Sequence, residues 1–157
     1  MSTATISRPA WWRAPFAAST WRRVLYVLLA LPVGIAALAL TVIGRPASAG
    51  RQQRRLASRL LGVAFDGAPA RGASHALASL PLNLAALVVA GYLWLGVILN
   101  LFYPIRLEGA ESGWGGSTLA GRWAVHALGG VAFLYVATWV TRGLTALQGR
   151  LARRLLG

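Results

Sequence analysis

Residues 24–44 read VLYVLLALPVGIAALALTVIG, an uncharged run of 21 residues that Arg23 and Arg45 close at its two ends. A helix rises about 1.5 Å per residue, so a helix of this length matches the ~30 Å hydrocarbon core of a bilayer. Six leucines, four valines and two isoleucines outweigh the cost of Pro32, two glycines and a threonine. The run therefore predicts a transmembrane helix, and the rest of the chain is interpreted from it.

The composition indicates the same environment. Of the 157 residues, 57% are hydrophobic and 12% are charged, whereas soluble domains average about 25% charged residues. The net charge is +13, and all sixteen basic residues are arginines. They border the apolar runs instead of forming one basic face, which favours anionic lipid head groups over nucleic acid as their partner. The chain has no cysteine, which excludes a disulfide framework or a thiolate metal site.

A second uncharged segment covers residues 74–105 and is long enough to cross the membrane with some tilt, provided that His75 is neutral. Its hydrophobic centre is expected at residues 84–102. Asn83 and Asn100 lie near the ends of this segment, where their amides are expected to reach the interface or bond to a neighbouring helix.

A third uncharged run covers residues 123–141 and is the least hydrophobic of the three. We expect it to depend on packing against the preceding helix, because Gly129 and Gly130 allow a close approach. His126 lies inside this run. It is either a protonation sensor that faces the bundle or a neutral histidine bonded to a neighbouring helix, and the second is favoured.

Two arginine-rich segments, residues 51–65 and 142–157, predict basic amphipathic helices. For the first, a helix lying on the membrane surface is favoured over a solvated helix packed on a partner. The arginines expected at the surface and at anionic lipids are Arg51, Arg54, Arg55 and Arg59 in the first segment, and Arg142, Arg150, Arg153 and Arg154 in the second. A candidate output stripe in the second segment consists of Leu144, Leu147, Leu151 and Leu155. This stripe is either a dimer seam leading to an effector or a surface resting on lipid.

The segment before the first run, residues 1–23, is interpreted as an N-terminal tail and interfacial anchor. Its aromatic residues alternate with arginines, as is typical next to a span. A cleaved signal peptide is disfavoured because the apolar run is too long and is followed by Arg45 and Pro46.

An internal repeat divides the rest of the chain. Residues 55–62 (RLASRLLG) match residues 150–157 (RLARRLLG) at seven of eight positions, and the Leu-Pro pair at 31–32 recurs at 80–81. A single domain, 1–157, is therefore expected to contain a shortened first repeat (24–65) and a second repeat (73–157). The first looks like the second with a returning helix removed.

Charge placement predicts the topology of the second repeat. Arginines flank its outer ends, so both ends are expected inside, and the intervening turn is a candidate external site. The residues of this turn that we single out are Glu108, Glu111 and Trp114. The first run either crosses, which puts the N-terminus outside, or is broken at residues 32–34 and re-enters from the cytoplasmic side. Three crossings are favoured. The sequence therefore predicts an all-α membrane protein of about three transmembrane helices plus two basic amphipathic surface helices.

Three stretches resemble one known family. Residues 11–35 (WWRAPFAASTWRRVLYVLLALPVGI), 60–69 (LLGVAFDGAP) and 139–157 (WVTRGLTALQGRLARRLLG) are similar to the actinobacterial putative sensor domain. That domain is a multi-pass membrane input module often found ahead of a histidine kinase. The resemblance implies four spans, arranged as two hairpins, with both termini in the cytoplasm. Compared with that pattern, we expect the present protein to lack the second span and to have no kinase after Gly157.

No catalytic constellation is found. The acids are expected on opposite sides of the membrane, and His75 and His126 lack a nearby cysteine or acid, so no catalytic site, metal or cofactor is expected. The leading hypothesis is a non-enzymatic, multi-pass sensor of the plasma membrane. It would pass a stimulus to a separate partner such as the histidine kinase of a two-component system, and a homodimer is left open. The alternative is a structural or accessory subunit of a membrane complex; a third is a decayed copy of a longer sensor.

Overall fold

A computed structural model describes residues 11–67, 71–105 and 114–157, and the elements in these ranges are all helical. The α-helices are α1 (Ala18–Val42), α2 (Pro46–Leu61), α3 (Gly72–Leu101) and α4 (Leu119–Leu156). Short 3-10 helices cover Trp11–Phe16 and Tyr103–Ile105. The predicted all-α class is confirmed.

Three of these helices are long and apolar enough to cross a membrane. Their most apolar windows have mean hydropathies of 2.4 for α1, 2.2 for α3 and 1.5 for α4. The protein is therefore an α-helical membrane protein, and the span predicted to be the weakest has the lowest hydropathy.

Two helix boundaries differ from the prediction. α1 starts at Ala18 and runs unbroken through Pro32, so the broken, re-entrant alternative is not observed. α4 does not end at Arg142: residues 142–156, predicted as a separate surface helix, continue the third span in one helix of 38 residues. Arginine is a good helix former and no proline interrupts this stretch, so a change in polarity does not end the helix.

α3 lies between α1 and α4 and is antiparallel to both. Asn83 of α3 donates to the Ala30 carbonyl of α1 (3.2 Å), and farther along α3 the Trp94 ring contacts Trp21, earlier in α1. On the other side Gln148 of α4 donates to Asn83, and Trp94 donates to Thr141 (3.2 Å). α1 and α4 are therefore parallel, and would cross a membrane in the same direction.

α1 and α4 are offset along their axes. Arg23, near the start of α1, donates to Thr145 in the C-terminal half of α4 (2.8 Å), and the Trp11 ring contacts Tyr135 at 5.7 Å. The C-terminal end of α3 and the N-terminal half of α4 consequently extend beyond α1 as a two-helix unit, which we call the projecting hairpin.

The helices of the projecting hairpin pack closely. A Cβ on Gly130 would lie only 2.8 Å from Cδ2 of Leu101, and one on Gly96 would lie 3.0 Å from the Phe133 ring. These contacts provide the close approach that was expected from Gly129 and Gly130, because a glycine removes the side chain that would separate the two backbones.

α2 folds back along α1 and also contacts α3 and α4. Near its start Ala49 packs with Ala37 of α1, and near its end Ala57 packs with Ala30. The arginines Arg51, Arg55 and Arg59 remain exposed. α2 therefore packs on the other helices of its own chain by its small residues, and its position at a membrane surface stays a prediction.

Candidate functional site

The two sequence repeats pack against each other about a pseudo-two-fold axis. Equivalent positions of the two repeats differ by a fixed residue number. A residue of α1 corresponds to the residue of α3 that is 49 positions later (80 − 31), and a residue of α2 corresponds to the residue of α4 that is 95 positions later (150 − 55). One core cluster contains Ala37, Ala49 and Ala76. Their counterparts under these offsets are Ala86, Leu144 and Val27, and these three residues meet in a second cluster. Equivalent residues therefore make equivalent contacts.

The axis passes between Ala57 and Ala152. These two alanines are counterparts, they lie in the same cluster, and their exposed fractions are 1% and 0%. On one side of them Arg54 donates to the Leu156 carbonyl; on the other, a Cβ on Gly149 would lie 3.8 Å from Leu61. Because α2 and α4 meet in antiparallel fashion at this point, the two repeats are inverted relative to each other, an arrangement known from membrane transporters.

The second repeat exceeds the first by 46 residues (95 − 49), and this excess forms the projecting hairpin. The remaining parts, namely α1, α2, the first two thirds of α3 and the end of α4, make up the pseudo-symmetric unit. We call this unit the four-helix body. The division into a shortened first repeat and a second repeat stays a prediction, and the contacts between α1, α2, α3 and α4 are compatible with it.

A buried polar node in the four-helix body is centred on Asn83. Its Oδ1 accepts from Nε2 of Gln148 (2.8 Å), and its Nδ2 donates to the Ala30 carbonyl and to Ser79 Oγ (3.4 Å). The side chain thereby joins α1, α3 and α4. The second amide atom of Gln148, Oε1, is buried without a hydrogen-bond partner in the described part of the chain.

Gln53 is the counterpart of Gln148 (53 + 95) and is also buried. Its Nε2 donates to the Gly72 carbonyl (3.0 Å), and its Oε1 contacts Nδ1 of His75. Each repeat thus inserts one glutamine between its basic helix and α3. The repeat recognised in the sequence begins at Arg55 and Arg150 and therefore leaves out this pair, although each glutamine stands two positions before the matching arginine.

The predicted output stripe on α4 is only partly exposed. Leu147 is 48% exposed, Leu144 packs against the Val27 cluster, and Leu151 and Leu155 are half-buried. The face that enters the core carries small and polar side chains instead. They are Thr141, Thr145, Gln148, Gly149 and Ala152, and the apolar Leu156 is buried beside them at the end of the helix.

The arginines singled out from the sequence have different environments. Arg54 is partly buried and donates to the carbonyls of Leu156 and Gly67, so it joins the end of α4 to the segment after α2. Arg142 lies over the Trp139 ring at 5.1 Å. Arg51 donates to Ser48 (2.9 Å). The others are exposed and lie on the outer faces of α2 and α4: Arg55, Arg59, Arg150, Arg153 and Arg154.

The candidate external turn is described only in part. Glu108 and Glu111 lie outside the described residues, and Trp114 is 85% exposed. Nearby, His126 stacks on Tyr103 with ring centroids 3.8 Å apart, and its Nδ1 lies 2.9 Å from the Arg122 carbonyl of its own helix. The expected hydrogen bond from His126 to a neighbouring helix is therefore replaced by a ring contact.

The described residues include no group of three histidine, cysteine or acidic side chains that could hold a metal ion. An apolar cavity of about 560 Å³ lies where the projecting hairpin leaves α1, between Trp21, Trp94 and Leu134. Its lining offers almost no polar group that could orient a polar ligand, so we do not interpret it as a specific site.

Comparison with known sequences identifies one family. The family described as Putative sensor matches residues 43–156, which is 114 of the 157 residues. The match covers all of α2, α3 and α4, and it begins after the stretch 11–35 on which part of the resemblance was based. No curated protein and no solved structure matches the chain.

Proposed function

Because the chain belongs to the Putative sensor family, we propose that it is a non-enzymatic sensor module of the plasma membrane. It passes a stimulus to a separate partner, the histidine kinase of a two-component system. The family match over residues 43–156 carries this proposal, since it includes both basic helices and two of the three candidate spans.

α4 is the element that would transmit the stimulus. It is a single helix from Leu119 to Leu156, so a shift at its N-terminal end, beside the predicted external turn, is carried along the whole rod. At the other end that shift changes how Gln148 meets Asn83 and how Ala152 meets Ala57. Packed contacts of this kind favour discrete arrangements, which is the property that a switch requires.

The partner surface would be the exposed side of the same helix. Leu147 is exposed, whereas Ala152, little more than a turn farther along the helix, is completely buried. A helix of a partner kinase could therefore contact Leu147 without disturbing the core.

Site-specific photo-crosslinking tests this proposal. A photoreactive amino acid replaces Leu147, or replaces Ala152 as the matched buried control, in the full chain expressed in its native membrane. Adducts with a histidine kinase from position 147, together with far fewer from position 152, are the expected result. If position 147 yields no histidine kinase, the proposed output is wrong; adducts with transporter subunits alone would favour the accessory-subunit alternative.

A further inference from the structure

The four-helix body carries two grooves that are counterparts under the pseudo-two-fold axis. The α1–α2 groove, about 400 Å³, is lined by Val33, Arg55, Leu56 and Arg59, among others. The α3–α4 groove, about 660 Å³, contains the counterpart of each: Leu82, Arg150, Leu151 and Arg154. These four positions therefore recur in both grooves, whereas the counterparts of Leu25 and Leu29 are Ser74 and Ala78, which do not line the second groove.

Each groove lies between an apolar helix and a basic helix. Leu25 and Leu29 of α1 are exposed on one wall of the first groove, and Leu82 of α3 lines the second. In a membrane such leucines face acyl chains. The grooves are therefore the places where a hydrocarbon-facing surface meets arginine side chains.

The arginine pairs are suited to a phosphate group. Arg55 and Arg59 are four residues apart on one helix, as are Arg150 and Arg154, so both guanidinium groups of a pair project on the same side. Guanidinium groups bind phosphate oxygens in bidentate fashion. In the described part of the chain none of these four arginines has a hydrogen bond or an ion pair.

Carboxylates that could neutralise the pairs are scarce. The chain has three acidic residues against sixteen arginines, and Asp66 is the one within the described ranges. The positive potential of the two grooves must therefore be compensated from outside the chain. A ligand with a negative head and an apolar tail satisfies both walls at once.

We propose that each groove binds one anionic phospholipid. The phosphate lies between the two arginines of the pair, and an acyl chain follows Leu29 and Val33 in the α1–α2 groove, or Leu82 and Leu151 in the α3–α4 groove. Two lipids then hold α2 and the end of α4 against the apolar helices. This proposal goes beyond the sensor function and holds whether or not a kinase is the partner.

Lipid retention measured by native mass spectrometry tests the proposal. The full chain is purified in a mild detergent and titrated with phosphatidylglycerol or with phosphatidylcholine. We expect two phosphatidylglycerol molecules on the unchanged chain, one on the Arg55→Gln/Arg59→Gln variant, one on the Arg150→Gln/Arg154→Gln variant and none on the fourfold variant. Removal of one pair should weaken binding at its groove by about thirtyfold, at about fivefold per arginine.

The matched control is Arg45→Gln/Arg71→Gln, which removes two exposed arginines outside both grooves and should leave both lipids bound. Circular dichroism checks that each variant is folded. Where a glutamine variant does not fold, the corresponding double lysine variant is used, and binding should weaken because the bidentate geometry is lost.

Three results would overturn the proposal. The first is equal binding of phosphatidylcholine and phosphatidylglycerol. The second is an equal loss of lipid from the control and from the groove variants. The third is full displacement of the lipid by an equal concentration of inorganic phosphate, which would show that the grooves recognise a free anion.

Discussion

Replacement of Asn83 by leucine should destabilise the four-helix body through the loss of hydrogen bonds, because it removes no side-chain volume. Leucine has a similar size and fits the membrane, but it cannot accept from Gln148 or donate to the Ala30 carbonyl. Because Oε1 of Gln148 already lacks a partner, the substitution leaves the entire buried amide of Gln148 without one.

Two contributions determine how far Asn83→Leu lowers the free energy of unfolding. Interhelical hydrogen bonds in membrane bundles average about 0.6 kcal/mol. A buried polar group left unsatisfied costs about 1–3 kcal/mol. We therefore expect Asn83→Leu to lower the free energy of unfolding by about 2 kcal/mol. Adding Gln148→Leu to this variant should restore at least about 1 kcal/mol, because it removes the unsatisfied amide.

The assay is reversible unfolding in mixed micelles at increasing fractions of dodecyl sulfate, followed by far-UV circular dichroism. The four proteins of the double-mutant cycle are measured together. Asn100→Leu is the control, because Asn100 donates only to the Gly96 carbonyl of its own helix (2.8 Å), and it should cost less than about 0.5 kcal/mol. If the effects of the two single substitutions simply add, Asn83 and Gln148 are not coupled and the reasoning is refuted.

Three further predictions follow from the helix contacts and the charge pattern. Ala152→Leu should lower the free energy of unfolding by about 1–3 kcal/mol in the same assay, because this alanine is completely buried beside α2. The control Ala146→Leu, on the exposed side of α4, should change the free energy of unfolding little. Equal effects of the two substitutions would contradict the α2–α4 contact. Gly72→Ala should be destabilising, because the added Cβ would lie 2.7 Å from the backbone nitrogen of Gly50. Gly91→Ala, where the added Cβ meets open space, should stabilise α3 by up to about 1 kcal/mol. A stabilising Gly72→Ala would rule out the close approach of α2 and α3 at Gly50 and Gly72. Because the chain has no cysteine, single cysteines can be introduced and tested for labelling by an impermeant maleimide. Three crossings require that two external positions are labelled and that two cytoplasmic positions are protected. Protection of the first external position would exclude an N-terminus outside the membrane. The external positions are Thr3 and Ser112, and the cytoplasmic ones are the exposed Arg45 and Arg71, which lie between the end of α1 and the start of α3.

Several features of the fold could be predicted from the sequence. The three uncharged runs correspond to α1, α3 and α4 because hydrophobic length is a local property that the bilayer sets. The repeat of RLASRLLG could also be recognised directly. Helix ends were less predictable: Arg142 marks a change in polarity, yet α4 continues past it because its backbone hydrogen bonds do not depend on the polarity of the side chains.

The buried face of α4 shows why side-chain pattern alone was insufficient. In water the stripe that contains Leu147 would face the core. In lipid an apolar stripe gains nothing from burial, so the small and polar side chains around Gln148 and Ala152 form the helix–helix contact instead.

The amino-acid pattern alone predicts the number of spans, their order, the arginine borders and two related halves. It does not predict that α1 lies beside the far half of α4, that Asn83 meets Gln148 across 65 residues of chain, or that the two halves are inverted about Ala57 and Ala152; these features depend on the packing of the folded chain. The physical reason is that hydrophobicity and periodicity describe each helix against its solvent. The axial offset and the pairing of buried amides depend instead on close contact between helices that are distant along the chain.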